Sequence, residues 1–450
     1  VTALGRWARE SLLPQVARPV ALQAIWMALD PEGFFESCVA QRGDPFVLGI
    51  PSAGEVLVSG HPEAARDLFT ASSAAIEPVE PNPVAPLLGA HSLLLLSGER
   101  HRRERRLMMA PFNARRMGDY GGIIRDRTLA AVRTWRPGEV FVAQHLTQAI
   151  TLDVILRAVI GVQGEPRSAR FRDSIKAMLA AYTPLLLVLP ALRRSFGPFG
   201  PWVRFAAARD NVCALFREEI AARRAAGDAA RNDILSLLMA ARYEDDTQLT
   251  DEELVDELRT LVVAGHDTTS TALVWALFHV HRDPQVLGTL RDELATLGPF
   301  GEAPPPDRLA ELPYLGAVCQ EALRLHPVVP IIPRRACQPM IFRGHAIAPG
   351  QNIAIATTLL HTHPEVWTDP ARFSPERFLE RKYSPFEYAP FGGGVRRCIG
   401  AALGTYQLRI VLGTLLATTR LTLRTRRTPA RVLMNITMGP REAVRLQVEG

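Results

Sequence analysis

From Thr250 to Pro284 the chain runs without a proline, and its middle, Leu261 to Leu277, is largely apolar. Such a run of about 30 residues predicts a helix of roughly 45 Å at 1.5 Å per residue. A helix apolar on all sides belongs inside a core rather than on its surface. Its start is marked by Thr250 and Glu253 in "TDEE", the T-x-x-E pattern of a capping box. Asp283, just before Pro284, is placed to cap the next helix. A shorter helix is predicted from about Tyr314 to His326, stopped by Pro327, and another in "IGAALGTYQLRIVLGTLLATT" from Ile399. "DPFVLGI" (44–50) and "GEVLVSG" (54–60), separated by "PSA", predict a hairpin. Short strands are predicted in "MIFRGHAIAPG" and "QNIAIAT". "IEPVEPNPVAP" (76–86) has too many prolines for helix or inner strand and predicts a long excursion of the kind that carries function. "GPFGPW" (197–202) separates two helical stretches. The pattern as a whole is mainly α, of the α+β class.

Composition narrows the class. With 450 residues, 47% of them hydrophobic, the chain can build a large core. It shows no repeat period and no long low-complexity tract, and its Pro/Gly-rich stretches fit long loops within one fold. The five cysteines are scattered and no C-x-x-C pair occurs, which excludes a zinc knuckle or disulfide framework and fits a reducing compartment. A net charge of +6 is too mild an excess to call for nucleic acid. The one dense basic run is "RHRRERR" (100–106). "TPLLLVLPAL" (183–192) holds two prolines and falls short of the roughly 20 apolar residues of a membrane span. Arg6, Arg9, Glu10 and Arg18 interrupt the amino-terminal apolar bits, so no signal peptide is expected. The expectation is a soluble, cytoplasmic protein.

Three constellations carry candidate chemistry. In "FGGGVRRCIG" (391–400), Cys398 stands where a glycine-rich segment meets a helix start. Helix-start amides and the nearby Arg396 and Arg397 favour an anionic sulfur. The glycines permit a tight turn and close approach of backbone to a flat ligand. A thiolate so held can ligate haem iron; a buried structural cysteine is the plain alternative. In "EALRLHP", Glu321 and Arg324 share a helix face, and Arg377 in "FSPERF" offers a third charge that could lock the cysteine loop against that helix. Alone, such a pair is ordinary surface pairing. In "AGHDTT" (264–269), Gly265, Asp267 and Thr268 interrupt the apolar helix. They read either as a helix opened beside a ligand, with a hydroxyl and a carboxylate for proton relay, or as a solvated turn or satisfied core threonine.

Taken together these segments closely resemble the cytochrome P-450 family of haem-thiolate monooxygenases, bacterial soluble type. The family signature F-x-x-G-x-R-x-C-x-G is met by Phe391, Gly394, Arg396, Cys398 and Gly400. Its E-x-x-R is met by Glu321 and Arg324, its P-E-R-F by Pro375 to Phe378, and its acid–alcohol pair by Asp267 and Thr268, all in family order. The resemblance implies a single domain over 1–450, with about 1–30 as an amino-terminal extension. It implies haem b (iron protoporphyrin IX) buried between the long helix and the cysteine loop, with Cys398 as the iron's ligand and Phe391 against the cofactor. Arg396 then pairs one propionate, His101 and Arg105 meet the other, and Arg334 (or its neighbour Arg335) is a further propionate partner. It also implies insertion of one oxygen atom from O2 into a C–H bond, with Asp267 and Thr268 helping to deliver protons. Electrons arrive from a separate ferredoxin and ferredoxin reductase, and those of Arg102, Arg103 and Arg106 that face solvent, with Arg397 near the same face, are expected to form a cationic patch that steers the acidic donor. Five apolar segments match the family's pocket: 87–96, 182–192, Leu261 to Ala264, 328–332 and 435–438. They imply a lipophilic ligand. Likeness of "ALDPEGFFESCVAQRGDPFVL" to bacterial members that resemble microsomal ones tilts this toward a fatty acid or terpenoid over a steroid or polyketide. A monomer is expected. The alternatives are a peroxide-driven peroxygenase, against which Asp267 and Thr268 speak, and a haem sensor without turnover.

Overall fold

The computed structural model describes residues 16, 19–51, 54–112, 114–195, 197, 200–227, 231–434 and 436–449. The helices that position the site are α1 (Val20–Leu29), α2 (Pro62–Thr70), α3 (Gly98–Met109) and α4 (Ala143–Ala158). After them come α5 (Asp251–Arg282), α6 (Pro313–Leu325), α7 (Thr357–Leu360) and α8 (Ala401–Thr418).

The apolar run is α5, a helix of 32 residues. Its capping box is formed: Thr250 Oγ1 accepts from the Glu253 amide at 3.3 Å, and Glu253 Oε2 accepts from the Thr250 amide at 2.9 Å. At its other end Asp283 accepts from Gln285 N at 2.9 Å and so starts the next helix. Between the caps α5 is buried on nearly every face, enclosed by α4, α6 and α8. Gly265 makes the approach of α4 possible. A Cβ there would lie 3.2 Å from Ile155 Cδ1, so the glycine's propensity cost of about 1 kcal/mol is set against close helix packing.

The hairpin is also present. Strands β1 (Phe46–Ile50) and β2 (Gly54–Ser59) pair antiparallel, from Phe46 opposite Val58 to Ile50 opposite Gly54. With β3 (Ile76–Glu77), β4 (Ile331–Ala336) and β5 (Asn352–Ala356) they form one sheet in the order β1-β2-β5-β4-β3. The proline-rich excursion therefore begins as an edge strand of two residues, Ile76 opposite Ala336 and Glu77 opposite Arg335. Pro78 ends the pairing because it has no amide hydrogen to give. A short helix, Ala85–Leu88, closes the excursion.

From Val20 the amino-terminal segment is helix α1, docked on β1 with Gln23 Oε1 accepting from Gly49 N at 3.0 Å. The features read at Arg6, Arg9, Glu10 and Arg18 lie outside the described residues, as do parts of the 197–202 break and Asn435 in the last apolar segment. No helix among the described residues is long and apolar enough to cross a membrane.

Candidate active site

The cysteine loop closes on itself where the Cys398 amide donates to Phe391 O at 3.0 Å. Phe391 packs against the main core. The glycines Gly393 and Gly394 bear on α2. A Cβ on Gly393 would lie 2.3 Å from the Phe69 ring, and one on Gly394 2.1 Å from Phe69 O. The close approach these glycines allow is thus to a helix behind the loop. Cys398 is solvent-accessible, yet burial is the largest influence on its thiol and pushes its pKa up. A sulfur with accessible surface but with protein packed densely around it lies in a recess rather than on an open face. The Gly400 amide hydrogen bond, Arg105 and Arg397 oppose the burial and favour the anion. Arg105 is locked there by donating to Arg397 O at 2.6 Å. Arg396, expected to add charge at the sulfur, turns away and donates to Leu96 O at 2.5 Å.

Arg396 instead joins a cluster of positive groups. On α3 the residues His101, Glu104 and Met108 are buried and Arg105 is half-buried, so His101 and Arg105 share the inward face of the basic run. Burial, then Arg396, Arg105 and Arg334, push the His101 pKa down to about 3. Burial followed by Arg396 brings Arg334 to about 10, and burial followed by Arg105 brings Arg396 to about 10. Four basic side chains therefore converge closely enough to repel one another. His101 Nδ1 and Arg396 Nε are buried with no hydrogen-bond partner among the described residues. In β4 the two neighbours meet different groups: Arg334 lies beside Arg396, while Arg335 lies near Glu77 at 3.8 Å. A cradle of cations and unsatisfied donors beside a recessed thiol fits a dianionic cofactor with a metal at its centre.

Behind the loop lies the charged network. Glu321 and Arg324 are fully buried on α6, bound through Arg324 Nε to Glu321 Oε2 at 2.7 Å and Arg324 Nη2 to Glu321 Oε1 at 2.8 Å. Arg377 Nε donates to Glu321 Oε1 at 3.1 Å, and Ser374 N to the same oxygen at 2.8 Å. The link onward is His361, absent from the sequence reading. Its Nε2 accepts from the Ala389 amide at 2.9 Å, two residues before Phe391, and Nδ1 donates to Arg324 O at 3.2 Å. Burial holds its pKa down at about 3, so the neutral imidazole carries its hydrogen on Nδ1. Its only signal in the chain is a histidine amid a "HTHP" turn, which by itself points nowhere.

On α5 the accessible positions amid burial are Ala264, Gly265, Thr268 and Thr271. The spacing of 264, 268 and 271 puts them on one face, which therefore lines a cavity. The helix is unbroken through this stretch, so no local opening exists. Thr268 Oγ1 donates to Ala264 O, one turn back. Asp267 is buried, its Oδ1 3.7 Å from His266 Nε2, and His266 Nδ1 is 2.8 Å from Thr151 Oγ1 on α4. Among the described residues no hydrogen bond joins Asp267 or Thr268 to Cys398.

The expected apolar segments divide. Leu87, Leu88, Leu186, Val262 and Val263 are core, whereas Leu94, Leu185 and Val329 are exposed. Segment 87–96 is tied to α5 by the Leu93 amide, which donates to Glu257 Oε1 at 2.7 Å. Burial raises the Glu257 pKa to about 8. The folded protein thus holds a proton here that the unfolded chain releases near pH 4.5, and stability falls as pH rises through that window. Glu257→Gln keeps an acceptor for Leu93 without the charge. Its stability should exceed the parent's by a few kcal/mol above pH 8 and differ little near pH 4.5, as read by denaturant melts across pH. A parallel pH dependence in both proteins would refute the assignment.

The solvent side of α3 departs from expectation. Arg102, Arg103 and Arg106 are exposed, but each meets a carboxylate: Glu99, Asp245 (2.7 Å for Arg103) and Glu244. Each of these three charges is thus partly offset within the chain, which weakens their share in a steering surface.

Comparison with known proteins follows the same lines. A family model described as Cytochrome P-450 matches residues 14–444. The chain is 32% identical over 410 residues to "Putative cytochrome P-450 138" of Mycobacterium bovis, covering 90% of this chain and 89% of that protein. It is 33% identical over 435 residues to "Putative cytochrome P-450 135B1" of Mycobacterium tuberculosis, covering 95% and 89%. Among solved structures, the retinoic acid bound cyanobacterial CYP120A1 superposes with a TM-score of 0.86 at 24% identity, covering 98% of this chain and 100% of that one. The cytochrome P-450DA heme domain also superposes at 0.86 and 24% identity, covering 97% of each.

Proposed function

The chain belongs to the cytochrome P-450 family of haem-thiolate monooxygenases, and from that premise we propose that Cys398 ligates haem iron while Asp267 and Thr268 manage protons for the oxidation of a lipophilic substrate. The observation that carries the reading is the convergence of His101, Arg105, Arg334 and Arg396 beside a recessed thiol. Haem bound here supplies the iron at which O2 is reduced and one oxygen atom passes to substrate. His101, Arg334 and Arg396 bind its carboxylates. Arg105 divides its charge between that cluster and the sulfur, which the Gly400 amide and Arg397 also stabilise. Thr268 gives its own hydrogen to Ala264 O, so its lone pairs face the cavity and hold a proton donor there as acceptor. Asp267, one residue before, is the carboxylate through which protons are resupplied.

The substrate reading stays with a fatty acid or terpenoid; its lipophilic character is supported by the exposed apolar side chains Leu94, Leu185 and Val329. One domain, a monomer, a separate ferredoxin and ferredoxin reductase, and a cytoplasmic setting complete it. None of the five cysteines is in a disulfide, which fits such a setting. Fatty acids, terpenes and steroids are titrated against the holoenzyme and its haem absorbance is recorded. Saturable shifts with the first two classes are expected; no shift with any lipophilic compound would refute the substrate reading. Thr268→Ala should bind the same ligand and still consume reductant. A positioned proton-handling group contributes about 100-fold or more, so product per reductant should collapse in favour of peroxide or water. Unaltered product per reductant would remove Thr268 from the proton path.

A further inference from the structure

Away from the cysteine recess, His61, His363 and Glu365 bring three potential ligand atoms within 4.8 Å of one another. His61 Nε2 is 3.5 Å from Glu365 Oε2. That is close to the ligand–ligand edge, about 3.4 Å, of a tetrahedron with bonds near 2.1 Å. The two imidazoles meet edge to face with centroids 4.8 Å apart. His363 Nδ1 is buried and has no hydrogen-bond partner among the described residues. An unsatisfied imidazole nitrogen beside a second histidine and a carboxylate is a set of donors awaiting an acceptor of electron pairs.

We propose that His61, His363 and Glu365 form a site for a divalent transition metal of the zinc class, and that the metal ties together two segments gripping the cysteine loop. Two histidines and a glutamate, with water as fourth ligand, suit zinc in its softness and coordination number. Glu365 is exposed and can swing to close the remaining distance. In the metal-free structure His61 Nδ1 accepts from Glu63 N at 3.1 Å; metal on Nε2 would place the ring hydrogen on Nδ1 and end that bond. There Glu63 Oε2, 3.8 Å away, becomes the acceptor, a carboxylate behind a metal-bound histidine.

The placement gives the metal its consequence. His61 immediately precedes α2, whose Phe69 abuts Gly393 and Gly394 of the loop. His363 and Glu365 follow His361, which holds the Ala389 amide at the loop's start. A metal here joins the two holds on the loop from behind. Zinc uptake itself does not depend on whether Cys398 ligates haem.

Chelator-treated holoenzyme is titrated with Zn2+ by calorimetry, and haem loss on heating is followed by absorbance. One saturable zinc per chain is expected, with a raised midpoint of haem loss. His61→Ala and His363→Ala should each weaken zinc binding by about tenfold or more, and Glu365→Gln by less. Glu365 is exposed, so its variant reports on the site even where a histidine variant folds poorly. Absence of saturable zinc binding in the parent, or binding unchanged in all three variants, would overturn the site. Binding with no change in haem loss would overturn its link to the loop.

Discussion

Cys398→His should yield a protein whose reduced carbon-monoxide complex lacks the strongly red-shifted Soret band of thiolate ligation and absorbs where histidine-ligated haem does. The sulfur has accessible surface, and the Gly400 amide, Arg105 and Arg397 favour its anion, though burial outweighs them and leaves the free thiol's pKa raised. Imidazole brings no negative charge, so it neither uses those stabilising groups nor donates electron density to iron as thiolate does. Turnover should fall further than the 10- to 100-fold typical of losing a group behind a metal ligand, so by more than about 100-fold. A variant with the parent's spectrum would show that another group holds the iron.

The second large effect is expected behind the loop. Glu321 is fully buried and accepts from Arg324, Arg377 and the Ser374 amide at once. Glu321→Ala leaves two buried guanidiniums facing each other without a counter-charge, which costs about 3–5 kcal/mol. Arg324 O is also the acceptor for His361, and His361 is the acceptor for Ala389 N, so the loss propagates to the loop carrying Cys398. The expected result is a low yield of haem-containing protein and a lower unfolding midpoint, rather than a well-folded enzyme with altered chemistry. Normal haem loading with selectively reduced turnover would place Glu321 in the reaction instead.

The features legible in the chain share a short range. The Thr250–Glu253 cap, the pairing of Glu321 with Arg324 across one turn, and the Phe46–Ile50 hairpin rest on hydrogen bonds or faces spanning a few residues. Helical and strand periods govern these directly. The cysteine motif was legible for the same reason, since its loop closes within eight positions of Phe391.

Direction and partnership over long separations were decided elsewhere. Nothing near Arg103 announces Asp245, yet their pairing offsets one charge of the expected cationic surface. The sequence alone determined a helical fold around one long apolar helix and a cysteine beside a helix start, because these follow from local backbone geometry and hydrophobic period; the acid–alcohol pair was legible only through the family resemblance. Only the tertiary structure decided that Arg105 rather than Arg396 attends the sulfur, that Gly265 makes room for Ile155, that Gly393 and Gly394 rest on Phe69, and that His361 joins the charged network to the loop. Each of these depends on which surfaces meet when the core closes, and that is set by packing among elements far apart in the chain.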